Sequence, residues 1–539
     1  LCADASATFI VATLGPKHDA MKYLRSFMST IESYLHPANS GKWVRSISEF
    51  LVQLVKYFQD RLISEKYKKH PWKKPIPEDW KLRESDITEF VEVLKPVAFQ
   101  AMYSRIGSNE IGRIFKSLAD LRPELILPGI LDRVFTTIDS ITEPNKFTAA
   151  LQCLVSVANV MVSGRRGSEM AKSQVIPLLF AVLPGIDSND FKKTSITLQY
   201  IITQSILIPF VDCSKASQYY DDLTEEEALI CEQTAQFEDF VMQFLDRIFV
   251  LIESSSVEST RMEHTSHSDN LKSKLESISE VLIQSASHSV LGQCSQEILD
   301  SATKKLVNYV KTKLLEPRVA GPAMSTLCRV FARVNGKEVY QKLMPFLIAS
   351  IENHLNESED VIELEKQNDE FLYHLILLSN LVRGHPIEVQ VYINDLIPVI
   401  DKLLSCKCKV TNRSGANMLT NLLIVLSTMQ TNDVKTVPEA FTMELKDFLP
   451  IRHWARKMER EERFNWFLPG ETERKFCEIL IHHYLLPILQ KFEKFNQGEE
   501  EISRDDMTLC LFVVTGILKC NNFLGNWKEE PLKLVETVT

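Results

Sequence analysis

The sequence predicts an all-α protein, an α-solenoid of degenerate HEAT/armadillo-like helical repeats with loop insertions. Three observations carry this. Segment after segment places apolar residues at i, i+3/i+4 and i+7, the mark of a helix with one buried stripe. Six times a short apolar run meets a proline and continues as an amphipathic stretch, around Pro96, Pro128, Pro177, Pro345, Pro398 and Pro487. Proline has no N–H to donate and its fixed φ suits a first turn, so each of these is predicted to start a helix. Glycine is scarce, 17 in 539 residues, and Asn-Gly occurs once, at Asn335-Gly336, which leaves too few tight turns for an all-β chain.

A chain of 539 residues exceeds what one core supports, and helices restarted tens of residues apart fit stacked pairs. In order, residues 1–63 read as HEAT-like helices. Residues 64–86 (KYKKHPWKKPIPEDW at their centre) read as a basic loop, because Pro71, Pro75 and Pro77 break any regular helix. Repeats resume over 87–252, where Leu151, Leu154, Val155, Ala158 and Val162 form one stripe. The clearest helix spans Phe237 to Ile252, with Phe237, Val241, Phe244, Leu245, Ile248, Phe249 and Ile252 on one face. Just upstream, Thr224-Glu225-Glu226-Glu227 has capping-box spacing, and its acidic residues suit the positive end of a helix dipole.

The serine- and threonine-rich stretch 253–270 is expected to be a mobile polar loop. Repeats return over 271–431. Residues 432–469 lose the apolar period around Trp454 and Trp466 and read as an irregular charged insertion. Helices resume over 470–525, where Leu509, Phe512, Val513 and Ile517 repeat the stripe, and 526–539 reads as a loose tail. The period is irregular, which fits HEAT-like repeats of roughly 40–47 residues interrupted by insertions better than a strict register.

Composition narrows the function. Hydrophobic residues at 45% and charged residues at 24% belong to a folded chain. A net charge of -10 and a pI near 5.8 disfavour direct binding of nucleic acid. The eleven cysteines are scattered and odd in number, so reduced thiols are expected. The apolar run Leu509–Leu518 is too short for a membrane span, and no membrane partner is expected. Leu1 is not an initiator methionine, and the chain is expected to be an excerpt of a longer one.

No G-x-S-x-G, P-loop, H-E-x-x-H or G-x-G-x-x-G occurs, so no catalytic residue is assigned and the chain is expected not to be an enzyme. Cys406-Lys-Cys408 and His482-His483 are metal-like spellings, but a lone C-x-C lacks a second pair and adjacent histidines face apart on a helix, so no metal is expected. The basic loop around Lys66, Lys68, Lys69, Lys73 and Lys74, with Trp72, offers charge and stacking to a phosphate-rich ligand. Arg165 and Arg166, between Gly164 and Gly167, offer a second anion contact. Solvated surface is the plainer reading of both.

Several strings resemble one family. YLHPANSGKW (Tyr34–Trp43), RPELILPGILDR (Arg122–Arg133), LPGIDSNDFKK (Leu183–Lys193), FEDFVMQFLDR (Phe237–Arg247) and EPRVAG (Glu316–Gly321) occur in order. FLPIRHW (Phe448–Trp454), the step from Trp466 to Pro469, and SRDD (Ser503–Asp506) continue the series. Together they resemble the middle region of the proteasome activator complex subunit 4 family, the large single-chain HEAT-repeat activators whose fungal relatives are called bleomycin-resistance proteins.

The resemblance implies a dome that caps the proteasome core particle at its α-ring and opens its gate. It implies ubiquitin-independent breakdown of peptides and of acetylated proteins, histones included, with roles in DNA repair and spermatogenesis, in nucleus and cytoplasm. It also implies that inositol phosphates bind at basic openings; no cofactor is required. Lys68, Lys69, Lys73, Lys74, Arg165 and Arg166 are candidates for such contacts by charge alone. The family's docking tail and acetyl-lysine-reading module have no counterpart in this sequence, so neither role is carried to a residue here. Read from periodicity alone, another HEAT-repeat scaffold such as a nuclear transport receptor stays open.

Overall fold

The computed structural model of the chain describes residues 3–39, 41–67, 77–104, 108–138, 144–262, 269–357, 368–406, 408–431, 435–456 and 466–519. Contacts divide the chain into two compact units, Leu1–Arg247 with Thr436–Lys457, and Ile248–Lys435 with Met458–Thr539.

The first unit stacks its helices in two rows. α1 (Ala3–Thr13), α3 (Lys42–Tyr67), α5 (Ser108–Leu121), α7 (Pro144–Val162) and α10 (Phe191–Leu207) pack each on the next. α2 (Ala20–Glu32), α4 (Glu84–Ala101), α6 (Pro123–Ile138) and the short α8 (Glu169–Ser173) form the second row. Each row is possible because each helix buries one stripe. On α5, Ile111, Ile114, Phe115, Leu118 and Ala119 are buried, a spacing that only a helix aligns. Between the rows, Phe58 of α3 stacks on Phe90 of α4, with ring centroids 3.7 Å apart. Beyond them lie α9 (Val175–Val182) and α11 (Glu225–Thr234). α12 (Phe237–Met262) contains the division between the units, and all seven residues of its expected stripe are buried.

The second unit repeats the scheme. α13 (Asp269–Gly292), α15 (Ala320–Val334), α17 (Asp369–Leu381), α20 (Lys409–Ser427) and α23 (Arg504–Leu518) pack in series. α14 (Gln296–Thr312), α16 (Gly336–Glu357) and α19 (Ile393–Ser405) form the other row. α22 (Glu471–Asn496) joins α19 through Tyr484, whose hydroxyl donates to the Ile397 carbonyl at 3.4 Å. The buried Tyr340 hydroxyl donates to the Leu381 carbonyl (2.7 Å) and accepts from the His385 N–H (3.0 Å) just before α18 (Pro386–Gln390). The strands among the described residues are β1 (Gln430–Thr431) and β2 (Trp466–Phe467), antiparallel, with Gln430 opposite Phe467.

Local capping follows the sequence. Thr224 Oγ1 accepts from the Glu227 N–H at 3.1 Å, as its spacing predicts, although the helix it starts is α11 and not the longer α12. Ser503 of the SRDD string caps α23 by accepting from the Asp506 N–H at 3.1 Å.

Two expectations are corrected. Of the six prolines predicted to start helices, only Pro177 lies in a first turn, that of α9. Pro96, Pro128, Pro345, Pro398 and Pro487 lie inside α4, α6, α16, α19 and α22. All five are exposed. In each case the carbonyl that loses its helical donor lies four residues back, on Glu92, Glu124, Gln341, Asn394 or His483, and these residues are exposed too. Water pairs such a carbonyl, so the helix continues past the proline. Helices that do begin on proline are α6, α7 and α18, at Pro123, Pro144 and Pro386. The second correction concerns the two ends of 253–270: α12 runs on to Met262 and α13 begins at Asp269, and residues 263–268 between them lie outside the described residues. Glu253 accepts from the Tyr309 hydroxyl at 2.7 Å and pairs with Lys313 at 3.7 Å, contacts that hold the added turn.

Candidate functional site

Part of the irregular stretch expected over 432–469 belongs to the first unit, where residues 436–456 form a strap, while 432–434 and 457–465 lie outside the described residues. After the second unit's helices, Thr436–Lys457 lies against the C-terminal end of α10 and against α11 and α8. The last carbonyls of a helix have no partner within it. Here Thr436 Oγ1 donates to the Ile206 carbonyl (2.7 Å), and the Ala455 N–H donates to that of Leu207 (2.8 Å). Ala455 takes a left-handed conformation, φ 55°, to make that contact. Such a conformation costs about 1–2 kcal/mol for a residue with a Cβ.

Arg452 of FLPIRHW locks the strap. Its Nε and Nη2 donate to the two carboxylate oxygens of Glu227, both at 2.8 Å, and Nη1 donates to Asp222 at 3.0 Å. The guanidinium holds both carboxyls below their ordinary values. Lys172 of α8 donates to the Ile451 carbonyl at 2.7 Å and lies 5.4 Å from the ring centre of the buried Trp454. Burial lowers the Lys172 pKa, with Glu227 acting against it. Nearby, burial pushes the Cys231 thiol up to about 11, so it is no nucleophile at neutral pH. Each charge named in this cluster is matched by a partner, and the arrangement is mechanical.

The second unit holds a different constellation. A cavity of about 400 Å3 lies among α13, α15, α20 and the β1–β2 pair. Arg329 and Arg333 stand one turn apart on α15, Arg383 follows α17, and all three line it. Gln284 and His288, one turn apart on α13, face them, and Trp466 of β2 completes the wall. Arg329 and Arg383 make no side-chain hydrogen bond or ion pair among the described residues. Burial lowers the Arg329 pKa, and Arg383 and Arg333 add to the effect by repulsion. His288 is held below the usual histidine range by burial and by Arg333, so it is uncharged at neutral pH. Chemically the cavity offers positive forks, amides and an aromatic face.

Those residues singled out by sequence that the structure describes are not assembled into one site. Lys68, Lys69, Trp72, Lys73 and Lys74 lie outside the described residues. Lys66, at the end of α3, pairs with Glu84 at 3.2 Å. Arg165 pairs with Asp120 at 2.6 Å, and Arg166 is exposed beside it in a turn where Gly164 and Gly167 adopt positive φ, 62° and 92°. Cys406 Sγ donates to the Lys402 carbonyl at 3.1 Å, and His483 Nε2 lies 3.1 Å from Asp401. Among the described residues no cluster of three or more His, Cys, Asp or Glu is placed to hold a metal, and no helix is long and apolar enough to cross a membrane. The described cysteines are free thiols. Sequence reasoning missed Arg329, Arg333 and Arg383. The signal that could have found the first two is a like-charged i, i+4 pair in the otherwise apolar CRVFARV.

Residues 24–524 match the family described as proteasome activator complex subunit 4, mid HEAT repeats region. The chain is 36% identical over 501 residues to proteasome activator complex subunit 4B of Danio rerio, across 93% of this chain and 27% of that protein. It is 34% identical over 520 residues to proteasome activator complex subunit 4 of Homo sapiens, across 96% of this chain and 28% of that one. Proteasome activator BLM10 of Saccharomyces cerevisiae is 20% identical over 498 residues, 86% of this chain and 22% of its own length. The chain thus spans little more than a quarter of the length of the first two relatives. Among solved structures, Kap121p bound to Nup53p aligns with 95% of this chain and 49% of its own at 11% identity and a TM-score of 0.30. The strings read along the sequence and the stacked helical rows meet in one conclusion: the chain belongs to the proteasome activator complex subunit 4 family and matches its middle HEAT-repeat region.

Proposed function

We propose that this chain supplies part of the helical wall of a proteasome activator, a regulator and not an enzyme. The protein it belongs to would cap the core particle at its α-ring and favour the open gate, because contacts made better with the open form shift that equilibrium. Stacked repeats suit the task, since each adds surface without needing a closed core. The observation that carries this reading is the family match over residues 24–524. Degradation without ubiquitin of peptides and acetylated proteins, histones among them, a part in DNA repair and in spermatogenesis, and action in nucleus and cytoplasm belong to the same proposal. So does the binding of inositol phosphates, for which Lys68, Lys69, Lys73, Lys74 and Arg166 remain the candidates by charge, with Arg165 already paired to Asp120.

The test is hydrolysis of a fluorogenic peptide by purified core particles, with and without the full-length protein that contains this chain. The rate is expected to rise with added protein until saturation. An unchanged rate, with the two proteins failing to co-sediment, would remove the proposal.

A further inference from the structure

We infer that the groove between α7 and α10 is a docking site for an extended, uncharged stretch of peptide, gripped by its main chain. This goes beyond the proposed role at the proteasome and does not depend on it.

A cavity of about 610 Å3 opens along these two helices, within the first unit. Its walls are in register. α7 begins at Pro144 and α10 at Phe191, 47 residues later, and the two helices pack on one another. Thr148, Ala149 and Gln152 of α7 line the cavity, and so do Ser195, Ile196 and Gln199 of α10, each 47 positions after its counterpart. Two successive repeats therefore turn their fifth, sixth and ninth helical positions to one groove. Hydroxyl meets hydroxyl in this comparison, and glutamine meets glutamine. A repeated polar position on adjoining helices makes a ladder, and stacked repeats build extended binding surfaces in this way.

The chemistry of the rungs selects the ligand. A carboxamide holds a donor and an acceptor in one plane, as a peptide group does, so a glutamine matches the N–H and C=O of an extended residue. An amide has room for several hydrogen bonds, so a bond within the protein leaves it able to hold a ligand. Thr148 donates its hydroxyl to the Asn145 carbonyl at 3.1 Å and keeps its oxygen as an acceptor. Spacing agrees with this. Packed helices lie about 8–10 Å apart, and three residues of extended chain cover about 10 Å. A peptide crossing from α7 to α10 meets the second glutamine about three residues after the first.

The rest of the cavity suits side chains of low charge. Ile196 is buried and gives the groove an apolar floor. Phe191, 37% exposed, and the half-buried Tyr103 offer rings for an apolar side chain to lie on. Among the described residues that line the cavity, the charged one is Lys192. A polyanion would find one lysine there, on a chain of net charge -10. Main-chain hydrogen bonds are left to carry the affinity.

The experiment is fluorescence polarisation of the full-length protein that contains this chain, with a short labelled peptide of alternating serine and leucine. The same peptide N-methylated at alternate amides and a labelled maltose oligomer are the other probes. The plain peptide is expected to bind, with little change on adding salt. Gln152→Leu and Gln199→Leu should each weaken it by about tenfold, while Gln497→Leu, on an exposed glutamine far along the chain, leaves it unchanged. Gln199 is exposed and Gln152 half-buried, so both variants should melt as the unchanged protein does. N-methylation should abolish binding, because it removes the N–H donors and keeps the side chains. Equal binding of the methylated peptide would overturn the proposal, as would binding that survives both cavity substitutions. Maltose-oligomer binding without peptide binding would give the groove to a sugar and overturn it too, and so would losses that merely track a fall in melting temperature.

Discussion

Arg452 commits three guanidinium nitrogens to two carboxylates that lie more than two hundred positions earlier in the chain. Hydrogen bonds between charged groups are worth about 1.5–3 kcal/mol when shielded. Arg452 is 32% and Glu227 24% exposed, so solvent reduces this to about 1–2 kcal/mol. Arg452→Ala should therefore lower stability by about that amount, and Arg452→Lys should recover little, since lysine has no fork. The effect depends on pH in a fixed direction. Arg452 depresses the folded pKa of Glu227 and of Asp222 from ordinary values of 4.5 and 3.8. Stability from a depressed carboxyl is complete above its unfolded pKa and is lost as pH falls through the folded one. The gap between the variant and the unchanged chain should thus be full at neutral pH and close below pH 4.5, which denaturant titration at several pH values would show. Arg452 sits in FLPIRHW, a string legible as family resemblance, but its chemistry was not legible. Nothing local names a partner so far away.

At the scale of elements, what the sequence shows depends on how far away its cause lies. The Thr224 cap and the Ser503 cap are made within three residues, and both can be read directly. The internal prolines mislead because proline signals a start only when the apolar phase breaks there. Across Pro345 it does not break: Tyr340, Leu343 and Met344 before it and Leu347, Ile348 and Ile351 after it are all buried in one helical register. Continuity of phase would have kept α16 whole. The β1–β2 pair was illegible for the opposite reason, since each strand has two residues and neither makes sense without the other. A measurable consequence follows for the prolines. In a helix interior proline is about 3 kcal/mol worse than alanine. Pro345 is exposed, so its replacement removes no buried contact. Pro345→Ala should raise the melting temperature, with a gain of up to about 3 kcal/mol. A fall in the melting curve would mean that neighbouring helices are packed around a bend which the proline sets.

For the whole molecule, the order of contacts predicts how it comes apart. Within the second unit α13 packs on α15, α15 on α17, α17 on α20 and α20 on α23, and the first unit repeats the plan from α1 to α10. Stability in such an array is close to a sum of nearest-neighbour terms, so damage should stay near its source. Phe331 on α15 is completely buried, and Phe331→Ala should cost about 3–5 kcal/mol. Amide hydrogen exchange should then accelerate in α13, α15 and α17, while α5 and α7 keep their protection. The strap is the exception that sharpens the test. Because Thr436–Lys457 closes on α8, α10 and α11 from far along the chain, Arg452→Ala should loosen residues near 172, 206 and 227 together with the strap itself. Equal loss of protection in α5 and α15 after Phe331→Ala would show one cooperative body in place of a chain of neighbours. Local loss in both variants, each at its own place, is the outcome that stacked repeats, with a strap folded back onto the first unit, require.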